Sequence, residues 1–211
     1  MADTRTLSQF KNKLAGGGAR ANLFEVNIPS FPSAVGDRVW RTGSGRESDQ
    51  FKFLCKAAQL PASTITEIPV PFRGRVLKVA GDRTFETWTV TVINDEDFQL
   101  RTAFETWMNT MSKLNDATGV TNPSSYMTDA YVTQLGRGRV ANSTRNTGGQ
   151  SSELRTYKFY DIFPTEVSAI DLSYENTDAI EEFTVTFQVQ YFTIGNSSEA
   201  NRAAAGQTLI Q

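Results

Sequence analysis

The side chains best placed to do chemistry in this sequence are acidic. Asp95, Glu96 and Asp97 form a run that could offer oxygen ligands to a hard cation, and Glu181 or Glu182 could be half of a glycosidase carboxylate pair. Cation sites draw ligands from several chain segments, whereas the first turn of a helix attracts acids through its dipole alone, so the structural reading of the trio is preferred. Adjacent strand residues face opposite sides of a sheet, and no second carboxylate is identified for Glu181 or Glu182. The chain contains no histidine, which removes Ser-His and Cys-His pairs and the usual zinc sets. Its single cysteine, Cys55, cannot form an internal disulfide; it reads as a buried structural thiol on the apolar face of a strand with Phe51 and Phe53. Arg73-Gly74-Arg75 and Gly136-Arg137-Gly138-Arg139 look like basic nucleic-acid tracts, but glycine between charges equally describes a solvated turn. Gly43-Ser44-Gly45 does not complete a dinucleotide fingerprint, and Asn142-Ser143-Thr144 and Asn196-Ser197-Ser198 match glycosylation acceptors only formally. No enzyme, metal site or cofactor emerges.

Composition narrows the field further. The 211 residues carry 21 Lys+Arg against 23 Asp+Glu, a formal charge of −2 that argues against a dedicated nucleic-acid binder. A chain of this length can bury roughly 70% of its unfolded surface, so a core is attainable without disulfides or metal. Neither a signal-peptide core nor an apolar run of about 18 residues occurs, so the expectation is a soluble protein, folded in a cytoplasm, with no membrane segment.

The dominant hydrophobic period is two. Phe183, Val185, Phe187, Val189 and Tyr191 alternate with Thr and Gln, and Trp88, Val90 and Val92 alternate with Thr87, Thr89 and Thr91. Shorter runs are Phe24, Val26, Ile28 and Phe51, Phe53, Cys55. Further strands are expected near 64–70, 74–80, 129–135, 155–162 and 166–174, about nine in all. One helix interrupts them: Leu100, Phe104, Trp107, Met108 and Met111 form an apolar stripe within 95–114, with Asn94 as the expected N-cap and Gly119 and Pro123 beyond its end. Residues 29–50, 115–128, 136–153 and 195–211 read as loops or tail, and loops this long tend to be functional or ordered by a partner. There is no internal repeat and no linker long enough to separate two domains, so one domain over 1–211 is expected.

Four blocks in order carry a resemblance: NLFEVNI (22–28), FKFLCKAAQLPASTITEIPVPF (51–72), VAGDRTFETWTVTVINDE (79–96) and FPTEVSAIDLSYENTDAIEEFTVTFQVQYF (163–192). Together they resemble the tail tube proteins of contractile-tailed, T4-like bacteriophages. The AGDRTFETWTVTV stretch with its following Asn-Asp-Glu is the most specific part. The 29–50 insertion, the 136–153 loop and the tail after Tyr191-Phe192 depart from the pattern. The resemblance implies a mainly β fold shared with the type VI secretion tube protein: two packed antiparallel sheets in a distorted sandwich or barrel, with one flanking helix at about 95–114. It implies hexameric rings of this subunit stacked into a hollow tube in the virion tail, assembled in the host cytoplasm. The implied partners are the chain itself, the tail sheath protein, the tape measure protein, the baseplate proteins that initiate the tube, the tail terminator, and genomic DNA passing through the lumen without specific binding.

Within that frame the segment from Leu60 to Phe85 is assigned the ring and stacking contacts. Pro61, Pro69 and Pro71 there discourage central strand pairing, and Gly81-Asp82-Arg83 reads as a turn. The candidate contact residues are Pro61, Pro69, Phe72, Arg73, Arg75, Gly81, Asp82, Arg83 and Phe85, together with Trp40, which lies beside Arg38 and Arg41. The N-terminal arm 1–20 and the loop 29–50 are further stacking candidates. Lumen-facing strand faces should carry Thr, Gln, Asn, Ser and acids rather than Lys and Arg, because a basic wall would hold DNA rather than pass it, and the Thr-rich faces at 87–91 and 184–186 meet that condition. Two other readings stand beside this one: a tube of type VI secretion or of a phage-like injector, and a stand-alone β-sandwich binding a ligand through loop aromatics Trp40 and Tyr126.

Overall fold

The computed structural model describes residues 6–13, 18–35, 47–137, 153–175 and 178–195. In chain order its elements are α1 (Leu7–Lys13), β1 (Phe24–Asn27), α2 (Glu47–Leu54), β2 (Cys55–Ala58), β3 (Ser63–Phe72), β4 (Arg75–Phe85), β5 (Trp88–Ile93), α3 (Gln99–Met111), α4 (Pro123–Tyr126), β6 (Thr128–Leu135), β7 (Glu153–Val167), β8 (Glu182–Gln188) and β9 (Tyr191–Gly195). The expected class is borne out: a mainly β chain with two antiparallel sheets and few helices. The sheets are unequal. Seven strands form one, in the order β1-β6-β7-β8-β5-β2 with β9 on β7, and β3 and β4 alone form the other.

Two compact units divide the chain, the first drawn from 1–25, 133–156 and 195–211, the second from 26–132 and 157–194. In the first, Leu135 N–H donates to Leu23 O at 2.8 Å, Gln134 Nε2 reaches Arg20 O and Leu23 O at 2.7 Å, and the Thr133 and Thr156 hydroxyls meet at 3.1 Å. The second holds the aromatic core. Trp88, Val90 and Val92 of β5 lie opposite Phe187, Val185 and Phe183 of β8, and all six are buried. Across that face lies α3, which buries Leu100, Ala103, Phe104 and Trp107, the i, i+3, i+4, i+7 stripe of an amphipathic helix. The Phe104 ring lies 5.7, 5.8, 6.4 and 5.9 Å from Phe31, Phe51, Phe183 and Phe187. Both buried indoles find acceptors, Trp88 Nε1 at Gln59 O (3.0 Å) and Trp107 Nε1 at Tyr126 O (2.7 Å), so their apolar bulk costs no orphaned donor. The opposite face of β5 and β8 presents Thr89, Thr91, Thr184, Thr186 and Gln188, all half-buried.

Several local expectations are corrected. Residues 51–54 belong to α2, not to a strand: Phe51 is buried while Phe53 is 79% exposed, so their spacing was a helical coincidence, and only Cys55 opens β2. The helix begins at Gln99 rather than 95, and Asn94 is not its cap. Asn94 is instead tied to Glu181, N–H to backbone O and Nδ2 to Oε2 both at 2.9 Å, while Phe98 takes a left-handed conformation (φ 55°) to start the helix. The strands expected at 155–162 and 166–174 are one continuous β7 ending at Val167, kinked by a positive φ of 52° at Asp161. The last expected strand is two: β8 stops at Gln188 and the chain bends back as β9.

Phe104→Ala removes the ring about which four others are arranged, and about 3–5 kcal/mol of stability is expected to go with it. Denaturant unfolding of the unassembled subunit checks this; a loss under about 1 kcal/mol would contradict this account of the core.

Candidate assembly site

No residue of β3 is buried, and β4 is exposed except for half-buried Gly81 and Phe85. A strand pair this open is unusual for a chain meant to stand alone, since a two-stranded hairpin is marginal in water. Its geometry follows from sequence. The link is the dipeptide Arg73-Gly74, both with positive φ (44° and 81°), as the I′ hairpin turn requires. The turn fixes the pairing Phe72↔Arg75, Val70↔Leu77, Ile68↔Val79. Ile68, Val70, Phe72, Leu77 and Val79 therefore share one face, and they are 51, 67, 63 and 45% exposed at Ile68, Phe72, Leu77 and Val79. The other face carries Pro69, Pro71, Val76 and the pair Lys78–Glu67 (2.8 Å).

The same register explains the prolines. A two-residue turn makes Phe72–Arg75 a hydrogen-bonded pair, so Phe72, Val70 and Ile68 bond to β4 while residues 69 and 71 turn their nitrogens to the open edge. Proline there removes two outward donors without breaking the hairpin.

Gly81-Asp82-Arg83, expected as a turn, is instead a bulge inside β4. The register passes from Glu67↔Ala80 to Ile65↔Arg83, so two residues of β4 oppose Thr66. A Cβ at Gly81 would lie 2.8 Å from Thr66 O.

The structure places most expected contact residues on this one element. Pro69, Phe72, Arg73, Arg75, Asp82 and Arg83 are exposed along it, and Arg73 lies over the Phe72 ring at 5.4 Å. Pro61 is half-exposed just before β3, and Phe85 packs at the base against Phe192 at 5.4 Å. Trp40 lies outside the described residues. Sequence reading missed Ile68, Val70, Leu77 and Val79; their alternation on either side of a Gly-containing turn was the available signal.

The residues first weighed for chemistry do not converge on a site. Among the described residues no group of three or more His, Cys, Asp or Glu could hold a metal ion. Cys55 is buried at 7% exposure, its Sγ–H facing Ala57 O at 3.6 Å, and burial pushes the thiol from 9.0 up to about 12. Among the described residues no helix is long and apolar enough to cross a membrane.

A family profile described as phage tail tube protein matches residues 19–195. The tail tube protein gp19 of Enterobacteria phage T4 is 34% identical over 179 residues, covering 84% of this chain and 93% of that protein. The chain belongs to the phage tail tube protein family. It is accordingly a structural protein of the virion tail and not an enzyme. Two solved structures share the tail tube fold. The tube-terminating cap of the anti-feeding prophage aligns with a TM-score of 0.54 at 14% identity, covering 85% of this chain and 92% of that one. The sheath/tube terminator of PVC, an extracellular contractile injection system, aligns at 0.53 and 13% identity, covering 84% and 96%.

Two outcomes follow for this tail tube subunit. At pH 8 Cys55 should react with a thiol reagent only after unfolding. Because its folded pKa is raised, its contribution to stability is full below pH 9 and declines toward pH 12, a decline absent in Cys55→Ala when the two unfolding curves are compared. Gly81→Val should drive a side chain into the Thr66 carbonyl and spoil the hairpin register. The core midpoint should then barely move, while polymer yield at fixed concentration falls by roughly tenfold or more, as a loss of about 1.4 kcal/mol per contact would give.

Proposed function

We propose that this chain is the repeating subunit of the inner tube of a contractile phage tail, forming hexameric rings that stack into a hollow conduit for genomic DNA. The observation that carries this is the β3–β4 hairpin, whose apolar face the subunit itself leaves open. A face of this kind marks a protein contact, and in a family named for a tube the partner is another subunit. The whole chain, 1–211, is read as one tube domain, of which the family profile matches residues 19–195. Contacts between copies run through the hairpin residues from Pro61 to Phe85, and Trp40 adds to them from the 29–50 segment.

The Thr89, Thr91, Thr184, Thr186 and Gln188 face suits the lumen, since hydroxyl and amide groups give phosphates no fixed counter-charge. Two cations of the sheet are neutralised among the described residues: Lys56 pairs with Glu182 at 2.5 Å, and Lys158 with Asp129 at 2.8 Å. Sheath, tape measure, tube-initiating baseplate proteins and terminator are the further partners of such a subunit. The injection-system tube is the second reading; the 34% identity to a phage protein, against 13–14% for the injection-system structures, favours the phage tail. The ligand-binding sandwich is left without support: Tyr126 packs on Phe163 at 5.8 Å, and its family is structural.

Electron microscopy of the purified protein, alone and with a tube-initiating complex, tests the proposal. Six-fold rings or stacked tubes are expected, with the threonine face toward the hole. A monodisperse monomer at high concentration in both conditions would overturn it.

A further inference from the structure

The near-neutral net charge of this chain conceals a segregation. Between Lys158 and Arg202 there is no Lys or Arg, yet Asp171, Glu175, Asp178 and Glu181 crowd the segment between β7 and β8, and Glu182, paired with Lys56, opens β8. That segment shapes an open pocket of about 460 Å³ with Asp171 and Glu181 in its lining. Its apolar side chains Leu172, Tyr174 and Ile180 are 79, 106 and 72% exposed. Its base is pinned: Arg101 Nη1 donates to Ser168 O at 3.1 Å, Thr184 N to Ser168 Oγ at 2.9 Å, and Asn94 Nδ2 to Glu181 Oε2 at 2.9 Å.

The hairpin is the inverse surface. Its tip carries Arg73 and Arg75 with no acid between Ile68 and Val79, Lys78 further down being paired with Glu67 at 2.8 Å, and its tip residue Phe72 is 67% exposed. One chain thus holds an apolar arm tipped with cations and an apolar pocket rimmed with acids. In the single subunit both are uncovered, so the tip does not fill its own pocket.

We infer that the hairpin tip of one copy, Phe72 with Arg73 and Arg75, seats in the Leu172–Tyr174–Ile180 pocket of a second copy, where Asp171 and Glu175 receive the guanidinium groups. This rests on the tube reading and names the receptor for its hairpin. Charge and apolar character are complementary on both sides. Arginine forks pair with carboxylates bidentately and stack on rings such as Tyr174, while Phe72 supplies the apolar anchor. Strands of ten and eleven residues give an arm roughly 30 Å long, enough to reach a neighbour. Tip and pocket are different patches, so the contact is head-to-tail and propagates.

Charge reversal in the full-length protein, assembled with a tube-initiating complex, tests this. Arg73→Glu with Arg75→Glu, and separately Asp171→Lys with Glu175→Lys, should each cut tube yield by roughly tenfold or more, and the four changes together should restore it to within about threefold. Independently, Phe72→Cys with Tyr174→Cys on a Cys55→Ala background should cross-link successive copies into a disulfide ladder in assembled tubes. Reversals that leave yield unchanged, no recovery in the folded four-fold variant, or no ladder in formed tubes would each overturn the docking while leaving the tube reading intact. An acid reversal that keeps tubes but loses a surrounding sheath would also overturn it, assigning the pocket to a partner protein. Absence of wild-type tubes would instead remove the tube reading, and the docking with it.

Discussion

A two-stranded ribbon cannot bury its own apolar face, and the rest of this subunit is arranged around that constraint. Ile68, Val70, Phe72, Leu77 and Val79 lie on one side of β3–β4, and the described residues leave each of them 44–67% exposed. Covering each, already about half shielded, is worth on the order of 1 kcal/mol, and association costs about 4–15 kcal/mol per subunit in lost freedom. One hairpin face therefore reaches only the low end of that cost, and holds a neighbour only with good fit and further contacts. Fit requires a rigid mount. The hairpin runs directly into β5, whose Trp88 is locked between Phe159 at 4.6 Å and Phe187 at 5.3 Å, and Phe85 clamps its base against Phe192.

An exposed apolar ribbon is also a hazard, because open strand edges template unwanted pairing. Pro69 and Pro71 answer it by deleting outward donors from β3, and the bulge at Gly81 interrupts β4. The outer strands of the large sheet, β1 and β2, are four residues each. Backbone edges are thus blunted where side-chain faces are left open. Recognition then depends on which side chains meet, a more selective contact than strand pairing, whose backbone groups are the same in every sequence.

What could be read from the sequence was whatever depends on alternation over a long stretch. β5 and β8 keep strict period two because one face meets α3 and the other meets polar surroundings, so their residues and their apolar faces were legible, though their pairing with each other was not. So was the stripe of α3, though not its start: Asn94 has the chemistry of a cap, but its side chain is claimed by Glu181, 87 residues away. Phe51, Phe53 and Cys55 mimicked a strand because three residues cannot distinguish period two from a helix that buries one aromatic and exposes another. The hairpin's position was legible through its prolines and its Arg-Gly turn. Its apolar face was not, because exposure is a property of what fails to pack nearby, and a run such as Ile68-Pro69-Val70 reads the same over a core as over solvent. Gly81-Asp82 likewise has turn chemistry, and only the register of the partner strand makes it a bulge.

The charge arrangement bears on why such a subunit can be stacked many times over. A small net charge limits the repulsion that accumulates when identical copies crowd together. Neutrality alone would leave orientation unspecified. With cations gathered on the hairpin tip and acids on the β7–β8 segment, a parallel head-to-tail approach brings opposite signs together, and an inverted approach sets like against like. The Thr and Gln face of β5 and β8 takes no part in this and stays without net charge, which suits a surface past which a polyanion must slide. In the proposed docking, orientation and passage fall to different parts of one chain, and the same arrangement gives a direction of growth.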